Sequence, residues 1–464
     1  MGKKPNIVFI LIDDMGWRDL SCYGSTFYET PNIDKLFSEG MHFTNAYAAC
    51  PVCSPTRASI LTGKYPANVG VTDYIGGHTK GIVIDAPYID HLPLSEKSLA
   101  KTLKNNGYNT WHVGKWHLGG EEYYPEKHGF DVNIGGCHWG HPKGGYFSPW
   151  NMDTLPENKE GEYLTDRLTD EAIKLIENSS DDKSFFLNMW YYSVHTPIQA
   201  KEEKIKKYED KAVKLGLDKI NALEEGENFS CEHKRDQKVV RRIVQSDPTY
   251  AAMIESLDEN IGRLVKAIDD KGETDNTIII FTSDNGGLST AEGSPTCNAP
   301  LAEGKGWMYE GGTREPLIVK WPSNISEGSM CDVPVTSPDF YPTLLEVTEI
   351  NLMPEQHQDG VSILPLLKGE HRIDREAVFW HYPHYGNQGG TPGCSIRLGN
   401  YKLIEFFEDN RLELYDLEKD IGEKENLINT FPDITKDLHN KLINWRESVH
   451  AKIPEPNPDW NELD

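Results

Sequence analysis

No apolar run in the 464-residue chain is long enough to span a membrane, so no helical membrane span is expected. Cysteine is sparse: eight are spread along the whole length, which excludes a disulfide-stapled scaffold and leads to the expectation of a reducing compartment. Cations are in deficit, 47 Lys and Arg against 73 Asp and Glu. The resulting formal charge of −26 would repel nucleic acid and anionic membrane, and both are excluded as partners. There are no internal repeats, which excludes a solenoid. Met1-Gly2-Lys3-Lys4-Pro5 leads into a strand-like segment without an apolar signal region, so the chain as given is expected to stay in the cytoplasm. If its ligand is an anion, a few cations gathered in one pocket must attract it.

What is present alternates strand-like and helix-like segments. Asn6 to Ile12 is an unbroken apolar run ending in Asp13-Asp14, the pattern of a strand buried on both faces. Ser98 to Asn106 and Glu162 to Asn178 read as helices, Tyr108 to Val113 and Ser184 to Tyr192 as strands. Pro248 to Lys271 is again helical, and Asn276 to Thr282 is a strand ending in Ser283-Asp284-Asn285-Gly286-Gly287. Glu315 to Trp321 is a further strand and Ser337 to Val347 a further helix. The pattern predicts an α/β fold with a large, mostly parallel sheet sandwiched by helices. After about Lys368 come short strand-like pieces, Ala377 to Tyr382, Tyr401 to Phe407 and Arg411 to Tyr415, and a closing helix, Pro432 to Val449. These predict a smaller α+β subdomain, an antiparallel sheet plus a helix, over 369–464, beside a catalytic domain over 1–368. Within the latter, 201–247 is dense in Lys and Glu and reads as a charged helical insertion, in plain terms solvated surface, or else a rim over the site. The tail from Pro454 onward is expected to be loosely held.

The stretch Cys53-Ser54-Pro55-Thr56-Arg57, followed by Ala58-Ser59-Ile60-Leu61-Thr62-Gly63, places a thiol and a fixed cation at the start of a helix, which suits an anion. Cys50-Pro51-Val52-Cys53 could be a redox pair or half a zinc site, and a lone cysteine is most often core filling. Neither reading accounts for Arg57, and the other cysteines stand singly. Asp13, Asp14, Asp284 and Asn285 are four oxygen donors at the ends of two strands. Taken singly each would be a loop or helix cap, but as two adjacent pairs they suit a hard dication, calcium or magnesium.

Together these motifs resemble those of the type I, formylglycine-dependent sulfatases, arylsulfatase-like members of the alkaline-phosphatase-like superfamily. The resemblance rests on C-x-P-x-R at Cys53 to Arg57, on Gly107-Tyr108-Asn109-Thr110 leading to Gly114-Lys115-Trp116-His117, and on His195-Thr196-Pro197. It continues through Gly304-Lys305-Gly306-Trp307 and Glu310-Gly311-Gly312-Thr313-Arg314 to Leu412-Glu413-Leu414-Tyr415-Asp416-Leu417, and so covers nearly the whole chain. It implies that a maturation enzyme converts Cys53 to formylglycine, whose hydrated aldehyde is the nucleophile. It also implies that Asp13, Asp14, Asp284, Asn285 and the modified Cys53 bind the metal, with Arg57, Lys115 and Lys305 on the sulfate. His117 would contact the nucleophile, and His195 or Lys305 would protonate the leaving alcohol.

The rival enzyme reading is a phosphonate or phosphate diester hydrolase, which shares the metal site. The rival of another class is a binding protein in which Cys53 stays a thiol. For the substrate, the resemblance of Trp380-His381-Tyr382-Pro383-His384-Tyr385 to the C-terminal lobe of carbohydrate sulfatases implies exo-acting cleavage of a sulfated, galactose-type sugar as well as aryl sulfates. His381 and His384, with Trp116, His138, Trp139, His141, Trp190, Tyr191 and Tyr385, are the candidate sugar contacts, though most aromatics are core.

Overall fold

The computed structural model of the protein describes residues 4–157 and 159–460. Asn6–Ile12 is central, parallel to Phe185–Trp190 on one side and to Thr277–Ser283 on the other, with all seven side chains buried. Among the described residues the main sheet has nine strands. Their order is Ser329–Cys331, Met41–Tyr47, Arg314–Lys320, Thr277–Ser283, Asn6–Ile12, Phe185–Trp190, Asn109–Gly114 and Val132–Ile134, with Val335–Thr336 paired beside Met41–Tyr47. Only Arg314–Lys320 runs against its neighbours.

The unbroken apolar run of the central strand follows from its two covered faces. Successive side chains point to opposite sides, so Val8, Ile10 and Ile12 pack with Leu164, Leu168, Ile254, Leu257 and Ile261 of the helices Leu164–Glu177 and Pro248–Asp270. Ile7, Phe9 and Leu11 pack on the other face with Ala58, Leu61, Leu99, Leu103 and Leu344, from the helices Cys53–Thr62, Leu99–Asn105 and Phe340–Val347.

Val378–Tyr382, Gly393–Leu398, Tyr401–Phe406 and Leu412–Asp416 form a separate antiparallel sheet. One face takes Leu438 and Leu442 of the helix Pro432–Ser448. The other face, through Trp380, Tyr382, Ile404 and Phe406, packs on Tyr47, Cys50, Val52 and Met308, so this lobe rests on the segment that leads into Cys53. The joint contains a buried charge cluster. Glu310 accepts from Tyr47 Oη at 2.7 Å and from Lys402 Nζ at 3.0 Å, and Lys402 also pairs with Glu423 at 2.9 Å.

Two sequence expectations need correction. The charged insertion is helical only over Glu202–Leu215, where Gly216 in the left-handed region (φ 72°) ends the helix. Leu223–Asn228 and Lys238–Arg242 then pair as an antiparallel hairpin, anchored because Phe229, Cys231 and Val239 are buried with Trp307 and Tyr385. The tail is likewise tied down. Glu455–Pro456 pairs with Val83–Ile84, Asn457 N donates to the Ile82 carbonyl at 2.9 Å, and Asn457 Nδ2 to that of Gly81 at 2.8 Å. Residues 461–464 lie outside the described residues. Among those described, no helix is long and apolar enough to cross a membrane.

Candidate active site

The carboxyl ends of parallel strands converge at one edge of the sheet, where α/β folds place ligands. Asp13-Asp14 follow the central strand, Asp284-Asn285 follow Thr277–Ser283, and Lys115 follows Asn109–Gly114. Backbone bonds carry the ladder past these ends: Asp284 N to the Ile12 carbonyl at 3.0 Å and Lys115 N to that of Trp190 at 2.7 Å. Asp14 sits at φ 62°, a left-handed conformation uncommon for a residue with a Cβ. Its N–H donates to Asp284 Oδ1 at 3.3 Å, and its Oδ1 accepts from Asn285 Nδ2 at 2.8 Å. Cys53 opens the fully buried helix Cys53–Thr62, where Pro55 falls in the first turn and lacks only an N–H that the helix would leave unpaired.

Three buried carboxylates face three buried cations here. Arg57 donates from Nε to Asp284 Oδ2 at 2.9 Å, with Nη2 in ion-pair contact with the same oxygen at 2.7 Å, Lys115 Nζ meets Asp13 Oδ2 at 2.7 Å, and Lys305 Nζ meets Asp14 Oδ2 at 2.8 Å. With these six ionised the cluster is neutral, and a bound dication would leave it at +2, ready for an anion. Two oxygens fit that dication: Asp13 Oδ1 and Asn285 Oδ1 are buried without a hydrogen-bond partner. Burial also pushes the Asp13 carboxyl well above its ordinary range, with Lys115 only partly offsetting it, so a nearby dication would be strongly favoured.

A cavity of about 470 Å³ opens above this cluster, with Cys53, His117, His195 and Lys305 in its floor. The hydrogen bonds assign the histidine protons. His117 Nε2 lies 3.1 Å from the Ile75 carbonyl, which can only accept, so Nε2 carries the hydrogen and Nδ1, 3.2 Å from Cys53 Sγ, is the acceptor. His195 Nδ1 faces the Thr196 carbonyl at 2.9 Å, leaving Nε2 to accept from Lys305 Nζ at 3.0 Å. Burial, reinforced by Lys115, holds His117 well below its usual range. Burial does the same to His195, opposed by Asp14 and reinforced by Lys305 and Lys115. Burial would lower Lys305 too, but Asp14 and its neighbours keep that ammonium charged. The Cys53 thiol is pushed up by burial and so stands protonated, a weak nucleophile as it is.

The ten residues singled out from the sequence, Asp13, Asp14, Cys53, Arg57, Lys115, His117, His195, Asp284, Asn285 and Lys305, thus come together in one place. They do not all reach the cavity. Arg57, which also lies over the Trp190 ring at 5.1 Å, and Lys115 are buried beneath it against the carboxylates. The candidate sugar contacts divide. His138, Trp139 and His141 line the mouth, whereas Trp116, Trp190 and Tyr191 are core. His381 is buried within the second lobe, its Nε2 bonded to the Lys452 carbonyl at 2.8 Å, and His384 is buried at the junction with the first, between Thr72 Oγ1 at 2.9 Å and Asp85 Oδ1 at 3.3 Å. Residues just beyond them, Asn387 and Gln388, reach the mouth, with Tyr74, Lys143 and Glu292. The signal for that loop was in the sequence. Gly386 to Gly390 is glycine-rich because its backbone packs on the Lys305 loop, and a Cβ on Gly390 would come within 1.8 Å of the Gly306 carbonyl.

Residues 5–350 match the model of the Sulfatase family, and residues 303–448 match that of the N-sulphoglucosamine sulphohydrolase C-terminal region. The chain is similar to a sulfatase of Formosa agariphila, 32% identical over 98% of this chain and 93% of that one. It is 31% identical to the N-acetylgalactosamine-6-sulfatase of Homo sapiens over 82% of this chain and 68% of that one. Among solved structures, that of Ps i-CgsB in complex with k-i-k-neocarrahexaose is similar at a TM-score of 0.76 and 28% identity, over 99% of this chain and 95% of that one. The chain belongs to the sulfatase family, and the enzyme is a hydrolase of sulfate esters.

Proposed function

We propose that the enzyme removes sulfate from the exposed end of a sulfated sugar, of galactose type, and also cleaves simple aryl sulfates, using Cys53 matured to formylglycine by a separate enzyme. The observation that carries this is the pairing in the cavity floor: a histidine with its acceptor nitrogen on Cys53, and across from it a charged lysine sharing a hydrogen bond with a second histidine. Formylglycine at position 53 would supply, as its hydrate, one hydroxyl to attack sulfur as the alcohol departs, and a second hydroxyl whose deprotonation would expel the sulfate and restore the aldehyde. His117 Nδ1 is placed to take a proton from a hydroxyl at that position, and its Nε2–H bond to Ile75 holds the ring in the right tautomer. The proton for the departing alcohol stands on Lys305 and is shared with His195 Nε2. Asp13, Asp14, Asp284 and Asn285, with the modified Cys53, would hold calcium or magnesium, which when bound neutralises charge on the sulfate oxygens. Arg57 and Lys115 keep the carboxylates of that site in position.

The sugar reading is supported by the polar and aromatic mouth and by the sugar sulfatases among the relatives. We assign residues 1–368 to the chemistry and 369–464 to shaping the mouth. Eight unpaired cysteines support a reducing compartment, the cytoplasm. The test is mass measurement of the peptide around Cys53, together with turnover of paired aryl sulfate and aryl phosphate diester substrates. An aldehyde or its hydrate at Cys53 with preference for the sulfate is expected. A plain thiol in an enzyme that turns over fully would overturn the nucleophile.

A further inference from the structure

Beside the catalytic cavity lies a second cleft of about 690 Å³, and the two share Tyr74 and Asn387 as common wall. Asn387 Nδ2 donates to Tyr74 Oη, so the partition is itself a bonded pair. One wall of the cleft is the segment from Gly76 to Lys80. The other is the loop from Glu232 to Asp236, the tip of the hairpin in the charged insertion. The walls are fixed relative to each other: Glu232 N donates to the Lys80 carbonyl at 2.7 Å, and Lys234 Nζ to the Asn387 carbonyl at 2.8 Å. Phe229, Cys231 and Val239 anchor the hairpin in the core beneath. The cleft is therefore a built feature of the insertion.

Its chemistry differs from that of the catalytic floor. Lys80 and Arg235 are matched by Glu232 and Asp236, and the Lys80–Glu232 pair at 3.3 Å is half exposed, with little net attraction for an anion. The exposed rings of His78 and His233 add groups that both donate and accept hydrogen bonds. Balanced charge with mixed donors and acceptors suits hydroxyls. It does not suit a run of sulfates. We propose that this cleft is a second saccharide subsite, holding a neutral or sparsely charged sugar linked to the unit that carries the scissile sulfate. This rests on the sugar reading above and extends it: the preferred substrate is an oligosaccharide, with its sulfated end in the cavity and the next unit crossing the Tyr74–Asn387 partition.

The test measures KM and kcat for sulfated galactose, N-acetylgalactosamine and glucosamine monosaccharides, for oligosaccharides of two to four units, and for an aryl sulfate. It compares the wild type with a His78→Ala/His233→Ala double variant, whose changes are on exposed side chains. Expected is a wild-type KM about tenfold lower for oligosaccharides than for the matching monosaccharide, and about a fivefold rise in the variant for oligosaccharides alone, the size of one or two lost hydrogen bonds. Equal KM at all lengths in the wild type, or equal losses on monosaccharide and oligosaccharide in the variant, would overturn the subsite and leave the sugar reading standing. Turnover of aryl sulfate with none of any saccharide would overturn both.

Discussion

In and just beneath the floor of the cavity each charged group is tied to an opposite one: Arg57 to Asp284, Lys115 to Asp13, Lys305 to Asp14, all in the core. At the mouth, Tyr74, Lys143, Glu292 and Asn387 come from four separate segments and are only partly paired. Gln388 is bonded there too, donating to Glu292 Oε1 at 3.1 Å. The floor sits on strand ends that the main sheet fixes, and the mouth on the 387–388 loop of the second lobe, the 74–75 and 138–143 segments and the loop around Glu292. A sulfate group is the same in every substrate, so its holder can be rigid and buried. A leaving group varies, and its holder lies where loops can change without disturbing a core.

The contrast is sharpest at Cys53. Cys53→Ala should lower turnover of every sulfate ester by on the order of 10⁴-fold or more, with little loss of fold because it removes one small atom from the start of a helix. A thermal melt alongside an aryl sulfate assay checks both. Next, chelation, or Asp284→Asn, should cost about 10³-fold on aryl and sugar substrates alike. Elemental analysis of the active enzyme should find calcium or magnesium, and stoichiometric zinc with full activity would contradict the oxygen-rich donor set. His117→Ala should cost about 10²- to 10³-fold on both substrate classes, because it acts on the shared sulfate half of the reaction.

Mouth substitutions should break this symmetry. Gln388→Ala should cost about tenfold in kcat/KM on a sulfated sugar and leave an aryl sulfate within about twofold. An equal loss on both would erase the distinction between floor and mouth. The smallest effect is at the joint of the lobes, on stability. Burial raises the Glu423 carboxyl to about 7, with Lys402 opposing, so the folded state binds its proton more tightly than the unfolded chain does. That contribution is fully present below the ordinary glutamate range and is lost as pH rises through about 7. Glu423→Gln should therefore melt with the wild type near pH 4 and above it at pH 8. Parallel curves at both pH values would refute this.

Much of the floor was legible in the sequence because its residues lie at the ends of apolar runs. Asp13-Asp14 and Asp284-Asn285 each close such a run, and a parallel sheet brings those ends together. The mouth was legible only in part. His381 and His384 have the chemistry of sugar contacts, but His381 turns into the second lobe onto the Lys452 carbonyl, and His384 is held at the junction of the lobes by Thr72 and Asp85. Neither local pattern nor residue type carries that tertiary pairing. The strand Gly393–Leu398 was missed because it opens on Gly393, a weak strand former, directly after Pro392, and it is held in place by neighbours on both edges. The hairpin in the insertion was missed because its Lys and Glu outnumber the few buried residues that anchor it.

The pairing of Glu455–Pro456 with Val83–Ile84 has a practical consequence. It fastens the far end of the chain to the segment that begins at Tyr74 and forms one wall of the mouth. A proteolytic nick or a bulky fusion near residue 455 would act at a distance, loosening substrate entry while the charge cluster under Cys53 stays intact. Hydrogen exchange would report it as early opening of residues 76–84, before either lobe melts.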